Sequence, residues 1–253
     1  MQTPWLKSFN TSAKATSRLF CFPYAGGSSQ IFRTWPKYLP DEIEVVAVEL
    51  PGRGSRFREA PFTDLVALVQ ALLDVLPPYL DKPFAFFGHS MGGLIAFELA
   101  QQMQRSPNRP FHLIVSGHAA PQNPPVRPPI HDLPKVEFIE QIRQLNGTPS
   151  ELLDSQEFQQ LFLPVLRSDF TLLETYQYLP NRSPLEIPLT VLGGLQDPDV
   201  SCDDLQDWQT QTQKEFSAIL FTGDHFFINA VQQDVLETLA EILRPALAMG
   251  RSQ

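Results

Sequence analysis

Five consecutive residues, Gly88, His89, Ser90, Met91 and Gly92, stand between an apolar run and a stretch with helical spacing. A serine at a strand-to-helix turn, with glycine two residues away on each side, fits the G-x-S-x-G nucleophile elbow. A chance match would lack the flanking strand and helix. The turn tolerates only small neighbours, and the start of the helix offers free amides and a positive dipole end to developing negative charge. The chemistry indicated is attack by the Ser90 hydroxyl on a carbonyl carbon.

A serine hydroxyl is a poor nucleophile until a base takes its proton, and that base needs an acid to orient it. Where such an elbow crowns an α/β sheet, the chain order is serine, acid, histidine. The histidines are His89, His112, His118, His131 and His225. Of these, His225 alone follows a late strand, since FSAILF runs through Thr222, Gly223 and Asp224 into it. It is therefore the expected base. His89 reads as a packed, structural residue, and no role is assigned to His112, His118 or His131.

The acid should leave the end of the preceding strand, and PLTVLGG leads directly into Leu195, Gln196 and Asp197. Asp197 is the expected acid and Asp199 the alternative. Asp224 is too close in sequence to face the His225 ring, and Asp203, Asp204 and Asp207 read as the wet face of a helix. Two amides must hold the oxyanion. Met91, after the nucleophile, supplies one, and the loop Pro23 to Gly27 supplies the other, with Ala25 the best-placed donor. Gly26 and Gly27 alternatively serve only that turn.

The elements that must carry these groups are legible as an alternation. Short apolar runs at 18–22, 43–48, 84–87, 111–115, 188–192 and 216–221 read as strands, several apolar throughout, as buried parallel strands are. Helical spacing marks 64–76, 91–104 and 230–246. The fold class is α/β: a mostly parallel sheet flanked by helices.

Residues 119–187 break the rhythm, being too long for a crossover. They open with Pro121, Pro124, Pro125, Pro128, Pro129 and Pro134, then regain helical stripes at Phe138, Ile139, Ile142, Leu145 and at Phe158, Leu161, Phe162, Val165, Leu166, Phe170, Leu173. The expectation is one domain spanning 1–253, with 119–187 inserted as a helical cap whose apolar underside would suit an acyl chain.

At 253 residues, 43% hydrophobic and 19% charged, the chain has the composition of an ordinary globular protein. A net charge of -9 argues against surfaces built for nucleic acid or anionic membranes. The start lacks signal-peptide character, no apolar window reaches spanning length, and a cytoplasmic location is expected. Only Cys21 and Cys202 are present, and no histidines have zinc-site spacing, so neither a disulfide framework nor a metal or other cofactor is expected.

Taken together, FCFPYAGGSSQIF, VELPGRGSRFRE, FGHSMGGLIAFELA, GGLQDPDVS and GDHFFI resemble the type II thioesterases, the stand-alone α/β-hydrolases that accompany nonribosomal peptide and polyketide synthases. LNGTPSELL and LFLPVLRSDFTLLETYQY are similar to that family's lid, so the likeness spans nearly the whole chain. The resemblance implies Ser90, Asp197 and His225 as triad, and the Ala25 and Met91 amides as oxyanion hole. It also implies hydrolysis of acyl groups from the phosphopantetheine arm of carrier proteins; the oligomeric state is open, with a monomer the expectation. Gln196, where the family often has Asp, and Asp224, where Gly is usual, depart from its pattern.

Arg53, Arg56 and Arg58 form a basic cluster after the second strand that could meet the phosphate of the arm, although a solvated or structural role suits them too. Three rival readings use the same scaffold: a general carboxylesterase or lipase-like hydrolase, a non-catalytic carrier-binding module, and an excised cyclising thioesterase. A complete triad weighs against the second.

Overall fold

The computed structural model describes residues 3–10 and 12–249, so the outermost residues of the expected 1–253 span, together with residue 11, lie outside the described residues. Seven strands form one sheet: β1 (Leu6–Ser8), β2 (Ser17–Phe22), β3 (Ile43–Val48), β4 (Phe84–His89), β5 (His112–Ser116), β6 (Leu189–Gly194) and β7 (Phe216–Phe221). Their order is β1-β3-β2-β4-β5-β6-β7, with β1 antiparallel to β3 and every other pair parallel. This is the mostly parallel sheet expected from the alternation, as the resemblance to α/β-hydrolases also implies. The three-residue edge strand β1 was not foreseen, being too short to show a period.

Every residue of β4 and of β6 is buried, whereas edge strand β7 is mostly half-buried or exposed. The apolar side chains divide by the two-residue period of the strands. Phe20, Phe22, Phe84 and Phe86 face one side with Leu94, Phe97 and Trp208. Leu19, Cys21, Ala85 and Phe87 face the other with Trp35, Phe227 and Leu239.

Helices α1 (Leu65–Val75) and α2 (Met91–Met103) contact each other, and α2 also packs on β4 and β5. Asp64 caps α1 by accepting the Ala67 amide at 2.7 Å, and Leu65, Leu68, Val69 and Leu72 give it a buried face at intervals of three and four.

Between β5 and β6 the chain forms α3 (Lys135–Gln144), α4 (Ser150–Leu153) and α5 (Gln156–Glu174), which share a small core of their own around Phe138, Ile142, Leu153, Leu163 and Leu166. The inward face of α5 lies about one position away from the apolar stripe read in the sequence. Leu161 and Phe162 are exposed, while Leu163, Asp169 and Leu172 are buried. Beyond α5, Tyr176 donates to Glu98 of α2 at 2.6 Å and Arg182 pairs with the same carboxylate at 2.5 Å, tying this end of the insertion to the elbow helix.

The remaining helices are α6 (Cys202–Gln206), α7 (Phe227–Ala230) and α8 (Gln232–Met249). Ser201 and Asp204 close a capping box on α6, which accounts for an aspartate in that cluster. Among the described residues no helix is long and apolar enough to cross a membrane.

Strand order reverses between β2 and β4, because β3 lies on one side of β2 and β4 on the other. In open α/β sheets the crevice at the carboxyl ends of such strands is where ligands bind. The loop 23–27 and the turn at Ser90 leave those two strand ends.

Candidate active site

Ser90 sits between β4 and α2 with φ 53 and ψ -121, a conformation that costs a non-glycine residue about 1–3 kcal/mol. The surroundings enforce it. The Ser90 amide donates to the Ser116 carbonyl at 2.7 Å. A Cβ on Gly88 would overlap the Gly92 carbonyl, and one on Gly92 would overlap the Phe22 carbonyl at the end of β2. The Ser90 side chain does not cap α2 and stays partly exposed. Among the described residues its hydroxyl makes no hydrogen bond.

His225 and Asp197 are brought together. Asp197 Oδ2 accepts from His225 Nδ1 at 2.7 Å, and the Asp197 side chain is fully buried. Its Oδ1 accepts the amides of Asp199 at 2.9 Å and Val200 at 3.3 Å, so the carboxylate cannot turn. With Nδ1–H donating to Asp197, Nε2 is the basic nitrogen, a tautomer assigned from this network. Asp199, the alternative, pairs instead with Arg127.

Two residues that depart from the family pattern hold these loops. Gln196 Oε1 accepts the Gly223 amide at 2.6 Å, and the Gln196 amide donates to the Gly223 carbonyl at 2.9 Å, joining the acid loop to the histidine loop. Asp224 accepts the Phe226 amide at 2.9 Å and Asn146 Nδ2 at 3.3 Å.

The His225 ring lies 5.2 Å from that of His89. A Cβ on Gly117, the residue after the Ser116 carbonyl that holds Ser90, would lie 3.5 Å from His225 Cε1. Imidazole, elbow and carboxylate therefore share one corner of the sheet.

Ser28 is preceded by a tight turn in which the Gly27 amide donates to the Tyr24 carbonyl at 2.8 Å and Gly26 has φ 74. This is a type II turn with Ala25 at its second position. Among the described residues the Ala25 amide donates no hydrogen bond. Met91, first residue of α2, has no intrahelical acceptor either. The contact of Gly92 with the Phe22 and Pro23 carbonyls brings the turn and the elbow side by side.

In the basic cluster two of the three arginines take the structural role that the sequence left open beside a phosphate-facing one. Arg53 is 4% exposed and bonds Asp169 through both terminal nitrogens at 2.7 Å each. Arg56, also 4% exposed, chelates Glu59, donates to the Glu49 carbonyl at 3.0 Å and stacks over Trp5 at 3.8 Å. Arg58 alone of the three is exposed.

The other histidines are occupied structurally. His89 is fully buried with Nδ1 on Ser116 Oγ at 2.9 Å, and burial holds it well below the ordinary histidine range. His131 Nδ1 meets Glu174 at 2.6 Å. His118 bonds the Ala119 carbonyl and is lowered by burial.

Burial brings His112, on Thr190 Oγ1 at 2.9 Å, down to about 4. The unfolded chain takes that proton near 6.5, so the stability is intact above about pH 6.5 and is lost as pH falls toward about 4. Between pH 7 and pH 5, His112→Gln is expected to lose up to about 2 kcal/mol less stability than the parent, read from urea midpoints at both pH values.

An open groove of about 340 Å³ is lined by Arg143, Asn146, Thr148, Asn229 and Phe226, the residue after His225. A larger groove of about 510 Å³, at Arg105, Arg109 and Glu186, opens where the chain enters β5 and β6, the opposite end of those strands from the elbow.

A family model described as Thioesterase domain matches residues 17–247. The gramicidin S biosynthesis protein GrsT of Aneurinibacillus migulanus is 42% identical over 245 residues, covering 96% of this chain and 95% of that protein. Among solved structures, the type II thioesterase BorB from the borrelidin biosynthetic cluster superposes with a TM-score of 0.85 at 30% identity, over 96% of this chain and 98% of that one. The RedJ thioesterase from the prodiginine pathway in Streptomyces coelicolor gives 0.83 at 37% identity, over 91% and 87%. The chain belongs to the thioesterase domain family of α/β-hydrolases, among the type II thioesterases.

Proposed function

We propose that this thioesterase hydrolyses acyl groups held on the phosphopantetheine arm of carrier proteins, clearing misprimed or stalled chains from a nonribosomal peptide or polyketide synthase. The observation that carries the reading is the buried Asp197–His225 pair beside the Ser90 elbow. The names of the relatives supply the class of substrate.

In this mechanism His225 Nε2 takes the Ser90 proton as the oxygen attacks the thioester carbon. The oxyanion rests on the Met91 and Ala25 amides, and the collapsing intermediate expels the pantetheine thiol, which takes the proton from His225. Water activated by His225 then attacks the acyl-Ser90 ester and releases the acid. We read 119–187 as a lid within a single domain, with the groove beside Phe226 as the entry for the arm. Of the arginine cluster, Arg58 alone is exposed, and we assign it to the phosphate of the arm on that ground. The enzyme is taken to act as a monomer in the cytoplasm.

The test is mass spectrometry of a carrier protein loaded with several acyl groups, before and after enzyme is added, beside parallel assays on acyl-CoA and nitrophenyl esters. Loss of acyl mass from the carrier at a kcat/KM well above that for the free esters is the expected result. Equal or better turnover of nitrophenyl esters would favour a general carboxylesterase.

Ala25→Pro isolates one oxyanion donor. Proline removes the amide proton, yet suits the second position of a type II turn. The variant should fold and lose about 10²- to 10³-fold in kcat, as single oxyanion donors do elsewhere.

A further inference from the structure

We propose that Asp169 of α5, with Arg53 as its counter-charge, is a positioning residue for the oxyanion turn, so that the Ala25 amide is aimed only while α5 is seated. This rests on the assignment of Ala25 as an oxyanion donor made above.

A carboxylate 2% exposed and a guanidinium 4% exposed are an unusual thing to find under a helix. Desolvating both is costly, and apolar side chains of similar volume often serve stability as well. What distinguishes this pair is where its spare bonding capacity goes. Asp169 Oδ2 accepts the Gly26 amide at 2.7 Å, and Arg53 donates to the Gly27 carbonyl at 3.2 Å. The two partners grip successive residues of one turn from one side.

The Gly26 N–H belongs to the central peptide of that turn. Type I and type II turns differ by a flip of this peptide, and only the type II form has the positive φ seen at Gly26. An acceptor fixed at Asp169 holds the peptide in its observed orientation and leaves the Ala25 amide as the turn's undirected donor. Leu166, three residues before Asp169, also packs on the turn: a Cβ on Gly26 would lie 2.6 Å from its Cδ2. Residues 166 and 169 share a face of α5, so the helix meets the turn by shape and by charge together.

Removing either partner alone would strand a buried charge, so the test compares two neutral double variants. R53M/D169N keeps an oxygen that can accept the Gly26 amide, and R53M/D169L does not. The probe is an alkyl boronic acid, which adds to the Ser90 oxygen with its own hydroxyl in the oxyanion position. Relative to R53M/D169N, R53M/D169L is expected to show a Ki for the boronate at least about tenfold higher and a correspondingly lower kcat. KM, the Ki of the free acid product and the thermal midpoint should stay matched between the two.

Equal boronate affinity in the two doubles, or a parallel change in KM and product binding, overturns the proposal. Ala25→Pro serves as the control. If it weakens the boronate while the two doubles bind it equally, the Asp169 inference alone falls. If it has no effect on the boronate, the Ala25 assignment falls and takes the inference with it.

Discussion

Ser90→Ala should lower kcat by about 10⁶-fold, close to what loss of the nucleophile costs in other serine hydrolases. The size of the effect follows from the mechanism proposed for the elbow: without Ser90 Oγ there is no acyl-enzyme, and the amides beside it have no tetrahedral intermediate to hold. Carrier binding should persist, because the hydroxyl makes no contact that supports the fold and does not cap α2. Intact-protein mass spectrometry after mixing with a slow acyl thioester should show an acyl adduct on the parent and none on the variant. Turnover above about one percent of the parent's would mean that another group attacks the thioester, since the remaining machinery elsewhere leaves far less.

The second large effect is expected from Asp197→Asn, at about 10⁴-fold in kcat. The reason lies in the two amides, of Asp199 and Val200, that converge on Asp197 Oδ1. In the variant they would hold the asparagine carbonyl, and the amide nitrogen would then face His225 Nδ1. A donor there puts the imidazole proton on Nε2, where it cannot accept from serine. Folding should be little affected. Asp199→Asn is the internal comparison: its carboxylate pairs with Arg127 rather than with His225, so kcat should change by only a few-fold. Steady-state rates on one acyl-carrier substrate decide both, and equal losses in the two variants would reassign the orienting acid.

Much of the architecture was legible because it depends on periods. Six strands and the three long flanking helices announce themselves by runs and spacing, and their observed ends differ from the sequence reading by a few residues at most. The elbow was legible for a different reason: only small residues fit beside Ser90, and the collisions that Gly88 and Gly92 avoid are physical requirements written as glycine.

What escaped the reading was polar and buried. Asp169 lies on the inward face of α5, yet a search for apolar stripes passes over an aspartate, and Leu161 and Phe162 were counted in its place although both are exposed. Arg53 gave no sign of its partner because Asp169 stands 116 residues away, so only folding shows that this charge is spent internally, whereas Glu59, three residues from Arg56, was in view. Gln196 read as a departure from a pattern, whereas its side chain stitches two catalytic loops together.

The anchoring of the insertion to α2 through Glu98 has a mechanical consequence. With Tyr176 and Arg182 fastened at one end, any outward swing of α5 would pivot beyond Glu174 and carry the Gln156 end furthest. At 1.5 Å of rise per residue, a swing of about 10° would shift Phe158 by roughly 5 Å but Asp169 by only about 2 Å. Those 2 Å exceed the slack in a hydrogen bond of 2.7 Å, so a modest gape at the far tip is enough to release the Gly26 amide.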